Sequence, residues 1–174
     1  MAVGDTIQLR EFCRLFQFGD REVRYVLERG YVPDGVRRAP STGHRREFAP
    51  DQAYWLAILV KLKHAGLRTP LAARAADYAT GGLRTITQNL SWDFQFLPMN
   101  RQFDTEHQYF LDIGDRECIR LVTDACPGRS GLHALDWHPV KGKREAVPNF
   151  RPFVTIRLDL VRIAEALKQV EAWS

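Results

Sequence analysis

The sequence predicts an α+β protein, with a mainly helical first half and a second half that combines a small antiparallel sheet with a terminal helix. Three observations support this prediction. Apolar residues recur at helical spacing up to about residue 80, short apolar runs bounded by turn residues follow, and an amphipathic helical stripe ends the chain. With 45% hydrophobic residues among 174, the chain can form a folded core, which excludes a wholly disordered protein.

Two short helices are predicted near the N-terminus. The first carries apolar residues at helical spacing between Leu9 and Phe16. Residues 17–19 form a tight turn, and Asp20 stands where an N-cap would begin the second helix. Gly30 is the predicted end of that helix. Its apolar stripe consists of Val23, Val26 and Leu27.

A basic β-hairpin is predicted after these helices. Turn residues separate two short extended pieces, residues 35–39 and 44–48. Residues 37–48 hold four arginines against Glu47 alone, and the entire positive excess of the chain lies before residue 81. Such a cluster is either a solvated loop or a surface that contacts phosphate. Its basic residues are Arg37, Arg38, His44, Arg45 and Arg46.

Two further helices complete the first half. Pro50 is predicted at the first position of a third helix, which is apolar on most sides and ends at Gly66. Thr69 and Pro70 are read as the N-cap and first residue of an alanine-rich fourth helix over residues 71–79.

A domain boundary is predicted at residues 80–82, where Thr-Gly-Gly interrupts the helical pattern. It divides the chain into residues 1–80 and a small α+β module of residues 83–174. Within the module, residues 125–149 are predicted to be loop-like. Strands are predicted at residues 92–97, 107–113, 118–123 and 154–158, with a hairpin turn at 114–115 and a helix at 161–173.

Two short helices joined by a tight turn and followed by a basic hairpin make up a winged helix-turn-helix. The major groove of B-DNA admits one helix, and its base edges are chemically distinct, so the second helix would enter it. The hairpin would lie on the flanking backbone as a wing, where arginines neutralise phosphates. The predicted DNA contacts are Arg21, Arg24 and Tyr25 on the helix, and Arg37, Arg38, His44, Arg45 and Arg46 in the wing.

Residues 6–79 resemble the MerR family of transcriptional regulators. Residues 23–33, VRYVLERGYVP, are similar to the family's second helix, residues 43–51, GHRREFAPD, to its wing, and residues 59–67, LVKLKHAGL, to its third helix. The resemblance implies a regulator that binds double-stranded DNA as a homodimer. It also implies that Arg24 and Tyr25 contact phosphate and bases, and that Arg45 or Arg46 corresponds to the wing arginine.

The second half departs from that family, whose members usually continue into a long coiled-coil helix. No sustained heptads follow residue 80, so a dimer would form differently. The candidate elements are the terminal helix at 161–173 and the exposed edges of the sheet. The module is expected to dimerise, to bind a small-molecule effector, or to contact a protein partner.

Two alternative functions stay open. The first is an excisionase-like or nucleoid-architectural protein that uses the same fold to bend DNA. The second is a small-molecule or metal-dependent enzyme in residues 83–174, for which His133, Asp136 and His138 near Cys126 are the best metal-ligand types, although their spacing shows no convergence. No nucleophile–base pair or phosphate loop is recognisable, so we expect no enzymatic activity, cofactor or metal.

The sequence also favours a bacterial cytoplasmic protein associated with the nucleoid. Its three cysteines, Cys13, Cys118 and Cys126, form no disulfide framework or metal knuckle, which favours a reducing compartment. No signal peptide or membrane span is recognisable, because the longest apolar run, residues 56–60, is far too short to cross a bilayer.

Overall fold

The computed structural model describes residues 6–33, 46–80, 105–124, 130–134, 137–139 and 150–170. In these parts of the chain it contains five α-helices and two antiparallel sheets, one of two strands and one of five. The predicted α+β class is therefore confirmed.

The first two helices are α1, Leu9–Phe16, and α2, Asp20–Glu28. A three-residue turn joins them because Gln17 adopts the left-handed conformation with φ 57°. The Phe18 N–H then donates to the carbonyl of Cys13, which closes α1 in the manner usually provided by glycine. The prediction that Asp20 is an N-cap is wrong: Gly19 holds that position, and Asp20 is the first residue of α2.

A two-stranded sheet lies beside α1. Strand β1, Ile7–Gln8, pairs antiparallel with β2, Glu47–Phe48, and the facing residues Ile7 and Phe48 are fully buried. Strand β2 is the described end of the predicted second hairpin arm. The predicted first arm and residues 44 and 45 lie outside the described residues.

Helix α3, Pro50–His64, is the most buried helix, and Pro50 takes its first position as predicted. Nine of its fifteen residues are buried, on all sides of the helix, which agrees with its apolar pattern. Helix α4 spans Thr69–Thr80. Its predicted N-cap is wrong, because the Arg68 carbonyl accepts from Leu71 and Ala72 and Thr69 is already helical.

The second sheet is formed by β3, Tyr109–Gly114, β4, Cys118–Thr123, β5, His133–Ala134, β6, His138–Pro139, and β7, Thr155–Asp159. Its order is β5-β4-β3-β7, with β6 also on β4, and all pairs are antiparallel.

Several predictions in this region are corrected. A 3-10 turn at Asp115–Glu117 replaces the predicted two-residue turn, and the loop-like interval 125–149 contains β5 and β6. The predicted strand at 92–97 lies outside the described residues.

Helix α5, Leu160–Lys168, follows β7 directly, and the Asp159 side chain caps it by accepting from the N–H groups of Val161 and Arg162. The predicted helix began one residue later and continued to residue 173. Helix α5 instead ends at Lys168, five residues earlier than predicted, and the Gln169 N–H donates back to the Ala166 carbonyl. The predicted apolar face is confirmed, since Ile163, Leu167 and Val170 are buried.

The two predicted halves share one hydrophobic core. Helix α5 contacts α3, α1 and β3, and the Tyr54 hydroxyl of α3 donates to the Leu160 carbonyl at 3.2 Å. Buried residues of α1 to α4, of β3 and β4, and of α5 belong to the same cluster. The predicted boundary falls on residues 80–82, of which only Thr80 is described, so a division into two domains stays a prediction.

Candidate nucleic-acid interface

Helix α2 separates an apolar face from an exposed polar face. Val23, Val26 and Leu27 are buried in the core, as their helical spacing predicted. The exposed face therefore carries Asp20, Arg21, Arg24, Tyr25, Glu28 and Arg29. The three helix residues predicted to contact DNA thus share one solvent-facing surface.

Arg24 is held by its own helix. Its Nε donates to Oδ2 of Asp20 at 2.6 Å, although 57% of the Arg24 side chain is exposed. The hydrogen bond that Arg24 donates to Asp20, and then the charge of Asp20, raise the pKa of the Arg24 guanidinium. An anion that binds Arg24 must therefore compete with Asp20. By contrast, Arg21 is exposed and forms no ion pair within the described part of the chain.

Tyr25 is the most exposed large aromatic residue in the described part of the first half, with 49% of its surface accessible. Two cations flank its ring: the guanidinium carbon of Arg29 lies 5.0 Å from the centroid, and Nζ of Lys63 lies 5.9 Å away. An exposed phenol with two adjacent cations presents a hydroxyl donor and positive charge together, which suits an anionic oxygen.

Arg29 and Lys63 are cations beside the predicted contact residue Tyr25 that the sequence interpretation did not include. Arg29 could have been found, because it lies four residues after Tyr25 and therefore on the same helical face. Lys63 belongs to α3, and its position near Tyr25 depends on how α2 and α3 pack.

Glu22 fixes α2 against the end of α3. Its carboxylate accepts from Nζ of Lys63 at 3.1 Å and contacts Nε2 of His64 at 2.7 Å. Burial raises the pKa of Glu22, but the hydrogen bonds from His64 and Lys63 outweigh it, so the pKa is lowered from its usual 4.5. The charged carboxylate therefore stabilises the position of α2.

Only one of the predicted wing residues lies within the described part of the chain. Arg46 is half-buried, its carbonyl accepts from the N–H of Leu9, and its Nη1 atom is buried with no hydrogen-bond partner. Its main chain therefore connects the start of β2 to the start of α1. The other four, Arg37, Arg38, His44 and Arg45, lie outside the described residues.

The histidines of the candidate metal group do not converge. His133 and His138 face Thr123 and Ile119 on β4, four positions apart, which corresponds to about 13 Å along a strand. His133 Nε2 lies 3.1 Å from the Ser130 carbonyl, and His138 is buried near the Tyr78 ring. Residues 126 and 136 are outside the described residues, within which no group of three metal-ligating side chains is found.

Two of the three cysteines are described, and both are buried. Cys118 is buried in β4. Burial, with a smaller effect of the Asp20 charge, raises the pKa of Cys13 to about 11, so its thiol is protonated at neutral pH.

Among the described segments, no helix is long and apolar enough to cross a membrane. Comparison of the chain with protein-family models finds no match, and comparison with curated protein sequences finds none either.

Proposed function

We propose that this protein is a sequence-specific regulator of transcription that binds double-stranded DNA. In this proposal α2 enters the major groove, and residues 35–48 form the wing on the phosphate backbone. The supporting geometry is a pair of short helices joined by a three-residue turn and held on the buried α3, with β2 paired to β1 beside α1. The observation that carries the proposal is the exposed Tyr25 ring between Arg29 and Lys63.

The ring of Tyr25 is half-exposed on α2. Its two neighbouring cations come from different helices, so a phosphate at the hydroxyl would be bound by α2 and α3 together. Contacts of this kind fix the register of a protein on the duplex. Arg21 and Arg24 lie closer to the start of α2, the end that enters the groove first in this mode of binding.

Fluorescence anisotropy with a selected duplex and a scrambled duplex tests this division of roles. Arg24→Ala is expected to weaken binding to the selected duplex by about tenfold and to the scrambled one by less, whereas Tyr25→Ala should weaken binding to both duplexes, because its hydroxyl contacts phosphate. Arg45→Ala should weaken binding to both duplexes similarly, because a phosphate contact carries no sequence information.

Arg151→Ala is the matched control, since Arg151 is an exposed arginine in the second half of the chain. Equal affinities of wild type, Arg24→Ala and Tyr25→Ala for the selected duplex would contradict the proposal.

We also propose that the protein binds DNA as a homodimer formed through strand β7. The apolar face of α5, the other candidate, packs on α1, α3 and β3 of its own chain. Strand β7 ends the described sheet, and it is preceded by Phe153 and Val154, which are 93% and 65% exposed. The Val154 carbonyl accepts from the N–H of Asp115, so the main-chain groups of Val154 face β3. Because these groups alternate in direction along a strand, those of Thr155 point to the side of β7 on which no described strand lies.

Sedimentation equilibrium tests this interface. Thr155→Pro removes the outward N–H while leaving the bonds to β3 intact, so it should convert a dimer into a monomer. Thr155→Ala keeps the N–H and should leave the dimer unchanged. A monomeric wild type, or a dimeric Thr155→Pro variant, would contradict pairing through β7.

A further inference from the structure

A groove of about 430 Å³ lies where the end of α1 and the side of α3 meet the junction of β7 and α5. We call it the seam groove. Its size is that of small-molecule sites, which occupy roughly 300–1,000 Å³ and often lie between structural units. Its apolar lining is formed by Leu15, Phe16, Leu158, Ile163 and Ala166.

Two cations stand at the seam groove, Lys61 of α3 and Arg162 of α5. Nζ of Lys61 lies 5.0 Å from the Phe18 ring centroid, and no carboxylate of the described residues pairs with it. The Arg162 side chain is 84% exposed, and within the described segments its guanidinium makes only a long contact of 3.5 Å with Asp159. Both cations can therefore reorient towards an anion.

The one acidic residue in the lining, Asp159, caps helix α5. Asp159 accepts from the N–H groups of Val161 and Arg162 at the start of α5, at 3.0 and 3.2 Å. Its charge is thereby partly compensated by the helix N-terminus. The seam groove thus combines an apolar floor with a net positive rim.

We propose that the seam groove binds a small amphipathic anion, with its apolar body on the lining and its acidic group between Lys61 and Arg162. Charge complementarity selects an anion over a neutral or cationic ligand. The apolar lining selects a hydrocarbon or aromatic body over a simple inorganic anion. This inference does not depend on DNA binding, and it fails or holds separately from it.

Isothermal titration calorimetry on the full chain tests the site with two matched probes. 8-Anilinonaphthalene-1-sulfonate has an aromatic body and a sulfonate, and N-phenyl-1-naphthylamine has the same aromatic body without the charge. Wild type should bind one sulfonate probe per chain, about tenfold more tightly than the neutral probe.

Three variants test separately how the two cations and the volume of the seam groove contribute to binding. Lys61→Gln and Arg162→Gln should each weaken the sulfonate probe several-fold and leave the neutral probe unchanged. Ala166→Phe should fill the groove and weaken both probes. Lys168→Gln, the same loss of charge on α5 outside the lining, should change neither affinity.

A thermal melt of each variant shows whether it is folded. Lys61→Gln and Arg162→Gln replace partly exposed side chains, so these two variants still test the proposal if Ala166→Phe does not fold. The proposal is overturned if wild type shows no saturable binding, or if both probes bind equally. It is also overturned if Lys61→Gln and Arg162→Gln bind the sulfonate probe as wild type does.

Discussion

The contact between Arg24 and Asp20 controls how much positive charge α2 presents. A carboxylate 2.6 Å from the guanidinium both occupies Arg24 and repels phosphate. Asp20→Asn removes this charge and should tighten binding to a low-salt duplex about three- to tenfold, because one repelling charge is lost from the contact surface. Anisotropy titrations in low salt measure the change.

Glu165→Gln provides the control for Asp20→Asn, since it removes an exposed acid from α5. If both substitutions tighten binding equally, the effect comes from net charge and Arg24 is not part of the interface.

Glu22 makes the position of α2 dependent on pH. Its pKa is lowered in the folded protein, so its stabilising effect is present above the usual value of 4.5 and is lost as pH falls through the folded-state pKa. Wild type should exceed Glu22→Gln in free energy of unfolding by about 1 kcal/mol at pH 7, and by less at pH 3. Urea unfolding at both pH values measures this difference, and a gap that widens in acid would contradict it.

At the scale of elements, the helix ends were predictable where glycine or proline marks them. Gly30 and Gly66 adopt φ of 85° and 93°, which L side chains rarely adopt, and both lie immediately after a helix. The short pairing of β1 with β2 was not predictable, because two-residue strands show no periodicity and the paired residues are 39 and 41 positions apart in sequence. The position of Lys63 beside Tyr25 was not predictable either, because the two residues are distant in sequence and meet only when α2 packs near α3.

Gln17 occupies a position that glycine would fill with less strain, since its φ is 57°. Gln17→Gly should stabilise the protein by about 0.5–1 kcal/mol, because the gain at a left-handed position exceeds the added entropy of the unfolded chain. Gln169→Gly is the control: Gln169 also follows a helix, but its φ is −79°, so glycine there should destabilise. The urea concentrations at the midpoints of unfolding measure both changes in stability. Destabilisation by Gln17→Gly would show that the Gln17 side chain contributes to the turn.

At the scale of the whole molecule, the two halves predicted from sequence are joined by α5. The sequence predicted the α+β class because periodicity is local, whereas the seating of α5 on α3 is a tertiary contact. The apolar pattern of α3 indicated in part that another element packs on it, because its buried residues lie on all sides of the helix and must be covered on more than one side.

The shared core predicts that damage in α5 spreads to α3. Leu167 is fully buried, and Leu167→Ala should cost about 2–4 kcal/mol. Hydrogen–deuterium exchange should then accelerate in Pro50–His64 as well as in β3 and β4. Unchanged protection of Pro50–His64 would show that the first half folds independently of α5.

We propose that the first half of this chain binds duplex DNA through a basic surface. The most direct measurement is the anisotropy of a labelled random duplex, titrated with protein across a series of salt concentrations. We expect saturable binding at low salt, with log affinity falling linearly against log salt by about 0.9 for each phosphate contacted. No binding at low salt, or an affinity insensitive to salt, would contradict the claim.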